Sequence, residues 1–482
     1  MSAPGEPLVP AEFRFGVATS GFQVEGGFNG PGEPANNWLG WERMGRVEPS
    51  GLACDVWAHP EPALDRAAAC GADLFRLSVE WARLEPAEGR RDDTALARYA
   101  ELLAACTDRG LEPVVTLHHF THPAWLGEEF WLRPGSPDRF AEHVAAVVPA
   151  LVPWCRRWVT VNEPNVLALA GWVLGLFPPG RAGAVSDALC VMDNLLTAHV
   201  LAADAVRAVQ PEATVTTNNG CASVYEFDRL WTDLLLARSR GVDRGAVDDW
   251  LGERRRLHDR AWPARSAAEL ALRRAARRGS AYGPAPARRA GPRRALAAVW
   301  ASPQARPLDV VGLDWYDPEV ADRGWWPGRR TAGGRWWAPG RPLWEDPPRP
   351  AALTRWCRDQ HALIPDLPLW VMENGVCSRV VKGRAYPRGD GWDRPRYLRA
   401  HLGAVVDAVA AGVPLEAYLY WSLADNYEWG SFEPRFGLHG LDRDRGGGVR
   451  WLDTDAEGRD SAAAYRQLIA AARQGDRGAL RA

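Results

Sequence analysis

The chain has 482 residues, 46% of them hydrophobic and 24% charged, and a formal net charge of −2; this is the balance of a folded globular protein, and it supplies no global field to draw in nucleic acid or an anionic membrane. Residues 1–15 hold no basic run followed by an apolar core, and no later stretch approaches the roughly 20 uninterrupted apolar residues of a membrane span, so the expected setting is the cytoplasm and the expected ligand is neutral or nearly so. Eight cysteines, at 54, 70, 106, 155, 190, 221, 357 and 377, are scattered without a Cys-x-x-Cys pair, a pattern that suggests neither a zinc site nor a disulfide framework and predicts reduced, largely buried thiols.

Apolar strand-like runs alternate with Ala/Leu/Arg-rich helical stretches along the whole chain, the pattern of βα units around a parallel sheet. Strands are predicted at 13–19 and 74–80. A helix over 93–109 leads to a third strand at 113–119, and one over 139–151 to a fourth at 158–162. The helical pattern at 187–210 precedes a fifth strand at 214–219. Residues 230–302 are the least regular, with arginine clusters at 254–256, 273–278 and 288–294. Aromatic residues are sparse there and acidic ones are mixed into the first half, which favours a solvated helical excursion over a nucleic-acid patch. A sixth strand at 310–315, an irregular Trp-rich stretch at 324–346, a seventh strand at 369–373, a helix over 397–411 and an eighth strand at 417–422 complete the series. Eight strands close a TIM barrel. The expected architecture is therefore α/β, one (β/α)8 TIM barrel over 1–482 with elaborated loops at its C-terminal face and the 230–302 excursion between strands five and six.

Two short segments carry the chemistry. Thr-Val-Asn-Glu-Pro-Asn at 160–165 and Val-Met-Glu-Asn-Gly at 371–375 each follow an apolar run, so Glu163 and Glu373 fall where a strand gives way to a loop, the end at which α/β barrels keep their active sites. Pro164 lacks an N–H and favours an extended residue before it, while Asn374-Gly375 is a turn pair. Both glutamates are thus expected to be held rather than mobile. Two carboxyls brought to one pocket suit glycoside cleavage: one protonates the leaving oxygen, the other meets the positive charge growing on the sugar. The 25 tryptophans fit the same picture in part, since flat aromatic faces pack on sugar rings, although most must be packing residues.

The chain resembles the family 1 glycoside hydrolases, the β-glucosidase and β-glycosidase family, over nearly its whole length. The matching segments run in order: 13–20 with Gln23 and Glu25-Gly26; 75–81 with Arg83 and Pro86; 112–119; 158–164; 175–180; 194–199; 309–316; 373–375; Tyr397-Leu398 with His401; and 421–437. The resemblance implies that Glu163 is the acid/base and Glu373 the nucleophile of a retaining mechanism on β-linked sugars, with Arg76 and Tyr316 holding Glu373 ionised. It implies sugar contacts from Gln23, His119, Asn162, Glu428 and Trp429, a stacking platform in Trp421, and an aglycone platform in Trp344. It implies no metal and no organic cofactor. The triplet His118, His119 and His122 has metal-like spacing, but a strand sends His118 and His119 to opposite faces.

Relatives acting on 6-phosphorylated sugars carry a serine where this chain has Glu428, and a carboxylate there repels a phosphate, so a non-phosphorylated small-molecule β-glycoside or oligosaccharide is the expected substrate. The chain departs from the family's usual Asn-Tyr-Tyr with Asp314-Trp315-Tyr316, and from Tyr-His-Trp with His118-His119-Phe120. Asp314 adds a carboxyl near the nucleophile, positioned to tune proton affinities or select a polar substrate. Two alternatives stay open: a transglycosidase using the same two glutamates, and a catalytically silent sugar-binding protein.

Overall fold

The computed structural model describes residues 6–222, 224–264, 267–283, 293–316, 348–443 and 448–481. The expectations for 324–346, including Trp344, fall outside the described residues, as do 288–292 of the third arginine cluster.

Eight parallel strands close on themselves: β1 (Arg14–Ala18), β2 (Leu74–Ser78), β3 (Glu112–Thr116), β4 (Arg157–Asn162), β5 (Thr214–Gly220), β6 (Val311–Trp315), β7 (Leu369–Asn374) and β8 (Leu415–Trp421). Each pairs with its neighbours in sequence, and β8 returns to pair with β1. This is the (β/α)8 barrel expected from the alternating pattern. Strands such as β7 and β8 carry apolar runs because both of their faces are covered, whereas β5, Thr-Val-Thr-Thr-Asn-Asn-Gly, is buried with two of its hydroxyls satisfied: Thr216 donates to the Val310 carbonyl and Thr217 to the Val161 carbonyl, each at 2.7 Å. Inside the barrel, Ala18, Leu74, Val114, Val159, Trp370, Met372, Ala417 and Leu419 pack against one another below Trp421. The outward faces pack under the surrounding helices in a larger core.

The helices of eight residues or more are α1 (Glu61–Ala69), α2 (Asp93–Thr107), α3 (Ser136–Leu151), α4 (Val185–Val209), α5 (Arg229–Ala237), α6 (Val247–Ala261), α7 (Ala267–Gly279), α8 (Arg294–Ala301), α9 (Pro350–Leu363), α10 (Arg394–Ala410) and α11 (Ser461–Gln474). Side-chain caps fix several starts: Asp92 accepts from the Ala95 N–H at 2.9 Å, Asp393 from Arg396 at 2.8 Å and Asp460 from Ala463 at 2.9 Å. Helix α4 is long and apolar enough to cross a membrane by composition, and it is mostly buried within the protein.

Between β5 and β6 the chain forms α5 to α8; Arg256, Arg274 and Arg278 are exposed, as the charge pattern predicts, while other arginines of the excursion turn inward. Asp233 accepts from Arg229 Nε at 3.1 Å and Arg254 Nη2 at 2.9 Å. Arg273, 3% exposed, bonds Glu269 at 2.6 Å and Asp259 at 3.1 Å, while Arg293 reaches Asp248 at 2.9 Å. A guanidinium whose fork is filled by carboxylates can be drawn inside, so these arginines tie the helices together. The eight cysteines are free thiols, all but Cys190 buried. Among the described residues, ten tryptophans, including Trp38, Trp158, Trp315 and Trp370, are completely enclosed and serve packing.

Candidate active site

The C-terminal ends of the strands bring the expected residues to one place. Glu373 lies one residue from the end of β7, and Glu163 directly follows Asn162 at the end of β4. Irregular register flanks both: the β4–β5 pairing shifts between Val159 and Asn162, and the β6–β7 pairing between Leu313 and Asp314. Such shifts re-aim side chains at a barrel rim. One oxygen from each of Glu163, Asp314 and Glu373 lies within 4.8 Å of the others, and all three residues are buried.

The conformation of Glu163 differs from expectation. Its φ of 37° and ψ of 59° are left-handed, not the extended geometry that a following proline favours. Two contacts outweigh that local bias: the Glu163 N–H donates to the Asn218 carbonyl at 3.0 Å, and Pro164 is taken as the first residue of the short helix Pro164–Ala168, where its missing N–H costs nothing. Asn165 fastens that helix to the end of β5, donating to the Gly220 carbonyl at 2.6 Å and accepting from the Gly220 N–H at 3.1 Å. Gly375 also plays a different part from the expected turn. Asn374 still belongs to β7, and a Cβ on Gly375 would lie 1.9 Å from the Trp421 carbonyl oxygen. The glycine permits a close approach of β7 to the end of β8.

Glu373 is held at both oxygens. Arg76 Nη1 donates to Oε1 at 2.7 Å, and the Tyr316 hydroxyl donates to Oε2 at 2.8 Å. Burial pushes its carboxyl above the usual range, and Arg76 and Tyr316 pull it back. Arg76, fully enclosed, also donates through Nη2 to Asn162 Oδ1 and through Nε to Thr116 at 3.1 Å. Glu163, Asp314 and Glu373 are near enough to share a cation, and the guanidinium of Arg76 brings a positive charge to that cluster.

Around this floor stand polar groups suited to sugar hydroxyls. Asn162 Nδ2 lies 3.2 Å from His119 Nε2. Burial and the Arg76 charge hold His119 well below the usual histidine range. Because Asn162 Oδ1 already accepts from Arg76 and from Asn218 at 2.7 Å, its amide is the donor to Nε2, and the neutral imidazole carries its proton on Nδ1. His119 stacks between Trp421 and Trp429, with ring centroids 5.9 and 5.7 Å away. Glu428 accepts from Trp421 Nε1 at 2.9 Å and from Gln23 Nε2 at 3.2 Å. Burial pushes Glu428 up to about 7 against those bonds. His118, by contrast, turns outward: it accepts from Trp131 Nε1 at 3.2 Å, and its ring faces His122 at 6.5 Å. Of the site residues read from the sequence, all but Trp344 therefore gather here.

Two further residues belong to the site that the sequence did not single out. Asn218 on β5 donates to both Asn162 and Asp314, and Asn426 accepts from Gln23 at 3.0 Å. A lone asparagine in a strand or loop carries no signal until its neighbours are known.

Residues 6–246 and 346–473 match the family described as Glycosyl hydrolase family 1. The chain belongs to that family. Over 459 residues it is 28% identical to a beta-glucosidase of an Agrobacterium species, covering 90% of this chain and 91% of that one. Over 518 residues it is 26% identical to a bifunctional beta-D-glucosidase/beta-D-fucosidase of Bifidobacterium breve, covering 96% and 98%. Among solved structures, the beta-glucosidase of Thermotoga maritima in complex with azafagomine superposes with a TM-score of 0.71 at 21% identity, covering 96% of this chain and 99% of that one. That likeness shows the shared barrel. As a family 1 member the protein is a glycoside hydrolase.

Proposed function

We propose that the protein is a retaining, β-glucosidase-like β-glycosidase that hydrolyses non-phosphorylated β-glycosides through a covalent glycosyl-enzyme intermediate. The observation that carries this reading is the approach of Glu163 and Glu373 oxygens to within 4.8 Å. Retaining enzymes place their two carboxyl groups about 5–5.5 Å apart, whereas inverting ones need about 6.5–9.5 Å to admit a water. In the first step Glu373 attacks the anomeric carbon while Glu163 protonates the departing oxygen. In the second, Glu163 takes a proton from water as that water displaces Glu373.

The rest of the pocket supports this chemistry. Arg76 and Tyr316 stabilise the Glu373 anion and release it as the glycosyl bond forms. The His119 Nδ1 proton, the half-buried Glu428 carboxyl and the Trp421 face supply a donor, an acceptor and a stacking surface for one sugar ring. A non-phosphorylated glycone is favoured because Glu428 is a carboxyl and the nearby Arg435 lies 3.8 Å from Asp425 instead of standing free. The names of the two relatives, a beta-glucosidase and a beta-D-glucosidase/beta-D-fucosidase, support a gluco- or fuco-configured sugar.

Glu373→Gly tests the mechanism. Hydrolysis of an aryl β-glucoside should disappear, and added azide should restore turnover with an α-glycosyl azide as product. A β-glycosyl azide, or no effect of the substitution on hydrolysis, would remove Glu373 from the role of nucleophile.

A further inference from the structure

Asp314 is paired in register with Glu373 across β6 and β7 and is 1% exposed. The two carboxyls, with Glu163, occupy one buried floor. Carboxyls in such contact do not both stay ionised near neutral pH, because each charge disfavours the other and burial disfavours both. Their partners decide which one keeps the charge. Glu373 has a donor on each oxygen, and one of those donors is a guanidinium. The Asp314 carboxyl receives a single neutral donor, the Asn218 amide on Oδ2, and its Oδ1 has no hydrogen-bonding partner among the described residues.

We propose that Asp314 holds a proton on Oδ1 in the resting enzyme, as a neutral positioning residue that leaves Arg76 and Tyr316 to Glu373. This goes beyond the catalytic reading, and it rests on that reading in taking Glu373 as the ionised nucleophile. The groups facing Asp314 are Arg76 from β2, Glu163 after β4, Asn218 from β5, Tyr316 after β6 and Glu373 from β7. Burial first, then the Glu373 charge, hold the Asp314 carboxyl well above the usual range, while Arg76 and Asn218 act the other way. If Asp314 were the anion, it would compete with Glu373 for Arg76.

Infrared difference spectroscopy at neutral pH reads the proton directly and needs no turnover. Wild type minus Asp314→Asn should show the carbonyl band of one protonated carboxylic acid, since other protonated acids cancel. A pair of ionised-carboxylate bands in its place overturns the proposal. Glu373→Gln made in a Glu163→Gln background, where the acid has no proton to lose, is the second arm and requires only that these variants fold: with the neighbouring charge gone and Arg76 released, Asp314 ionises, so the carboxylic-acid absorption falls relative to Glu163→Gln alone. An unchanged or stronger absorption overturns it as well. Labelling by a 2-deoxy-2-fluoro aryl β-glycoside with a good leaving group supplies a kinetic reading. The acidic limb of its pH–rate profile, set by Glu373, should stay in place in Asp314→Asn because the carboxyl replaced is neutral; a limb displaced to lower pH shows that an anion was removed and refutes the assignment. If neither protein is labelled, the covalent mechanism is what fails, and the infrared arms still decide where the proton sits.

Discussion

Arg76 is enclosed completely, and it binds Glu373, the carboxamide of Asn162 and Thr116 with its three nitrogens. Replacing it with methionine keeps much of the volume and removes the charge that pulls the Glu373 carboxyl down. The expected result for Arg76→Met is a loss of about 10²–10³-fold in kcat/KM, the scale seen when one preorganised donor is removed from a transition-state charge. The acidic limb of the kcat/KM profile should also move to higher pH, because Glu373 then gives up its proton later; a profile displaced downward contradicts the role given to Arg76. The two glutamates were legible from the sequence because each stands in a short motif that ends an apolar run. The left-handed turn of Glu163 was not, because the bias of Pro164 is local and the contact with the Asn218 carbonyl that overrides it comes from another strand. Asp314 was legible as an oddity only; its single neutral partner, Asn218, appears when β5 and β6 are set side by side.

Strands β7 and β8 deliver Glu373 and Trp421, and their ends come close where Gly375, just past β7, meets the Trp421 carbonyl. A methyl group there would overlap the Trp421 carbonyl at 1.9 Å, so Gly375→Ala must push the ends of the two strands apart. The atoms displaced are backbone, not the tip of a flexible side chain. Since a shift of about 1 Å in a reacting group can cost about 10²-fold in rate, Gly375→Ala should lose at least that in kcat, with a smaller effect on global unfolding. Comparing kcat with the denaturant midpoint of the same variant checks this; loss of stability with kcat retained would show that the contact does not position Glu373. Most of the strands were readable because both barrel faces demand apolar side chains, which leaves apolar runs in the sequence, and β5, mostly Thr and Asn, was readable from its β-branched residues and its place in the alternation. The excursion between β5 and β6 was readable as helix but not as packing. An arginine cluster looks the same in sequence whether it faces water or reaches inward, and only the placement of Asp233, Asp248, Asp259 and Glu269 shows which of its arginines turn inward.

Across the folded protein, burial perturbs two classes of groups in opposite senses, and together they set how stability depends on pH. Burial pushes Glu80, Glu226 and Asp228 each up to about 7. A carboxyl raised in this way binds its proton more tightly folded than unfolded, so its contribution is present at low pH and is lost as pH rises through 7. The buried histidines do the reverse. His122 is lowered to about 4, and His143 and His199 to about 3; they stay neutral when folded but take up protons when unfolded below pH 6.5, so their contribution is lost as pH falls. At pH 6.5 the unfolded histidines are still half protonated, so they oppose the carboxyls until about pH 7.5. From these six groups stability should peak between about pH 5 and 6, and from pH 6.5 to 8.5 it should fall by roughly 1 kcal/mol, the loss of about 2–3 kcal/mol from the three carboxyls being partly offset by the three histidines. Glu80 isolates the effect. Its carboxyl accepts from Thr121 at 2.6 Å and from the Phe22 N–H at 3.0 Å, and beside the burial the charge of Glu25 raises it further. In Glu80→Gln the amide oxygen can still accept from Phe22 while its nitrogen donates to Thr121, and there is no proton to lose. Its unfolding free energy, measured with denaturant across that pH range, should decline less steeply than that of the wild type. Parallel curves would show that Glu80 ionises as readily inside the barrel as in the unfolded chain.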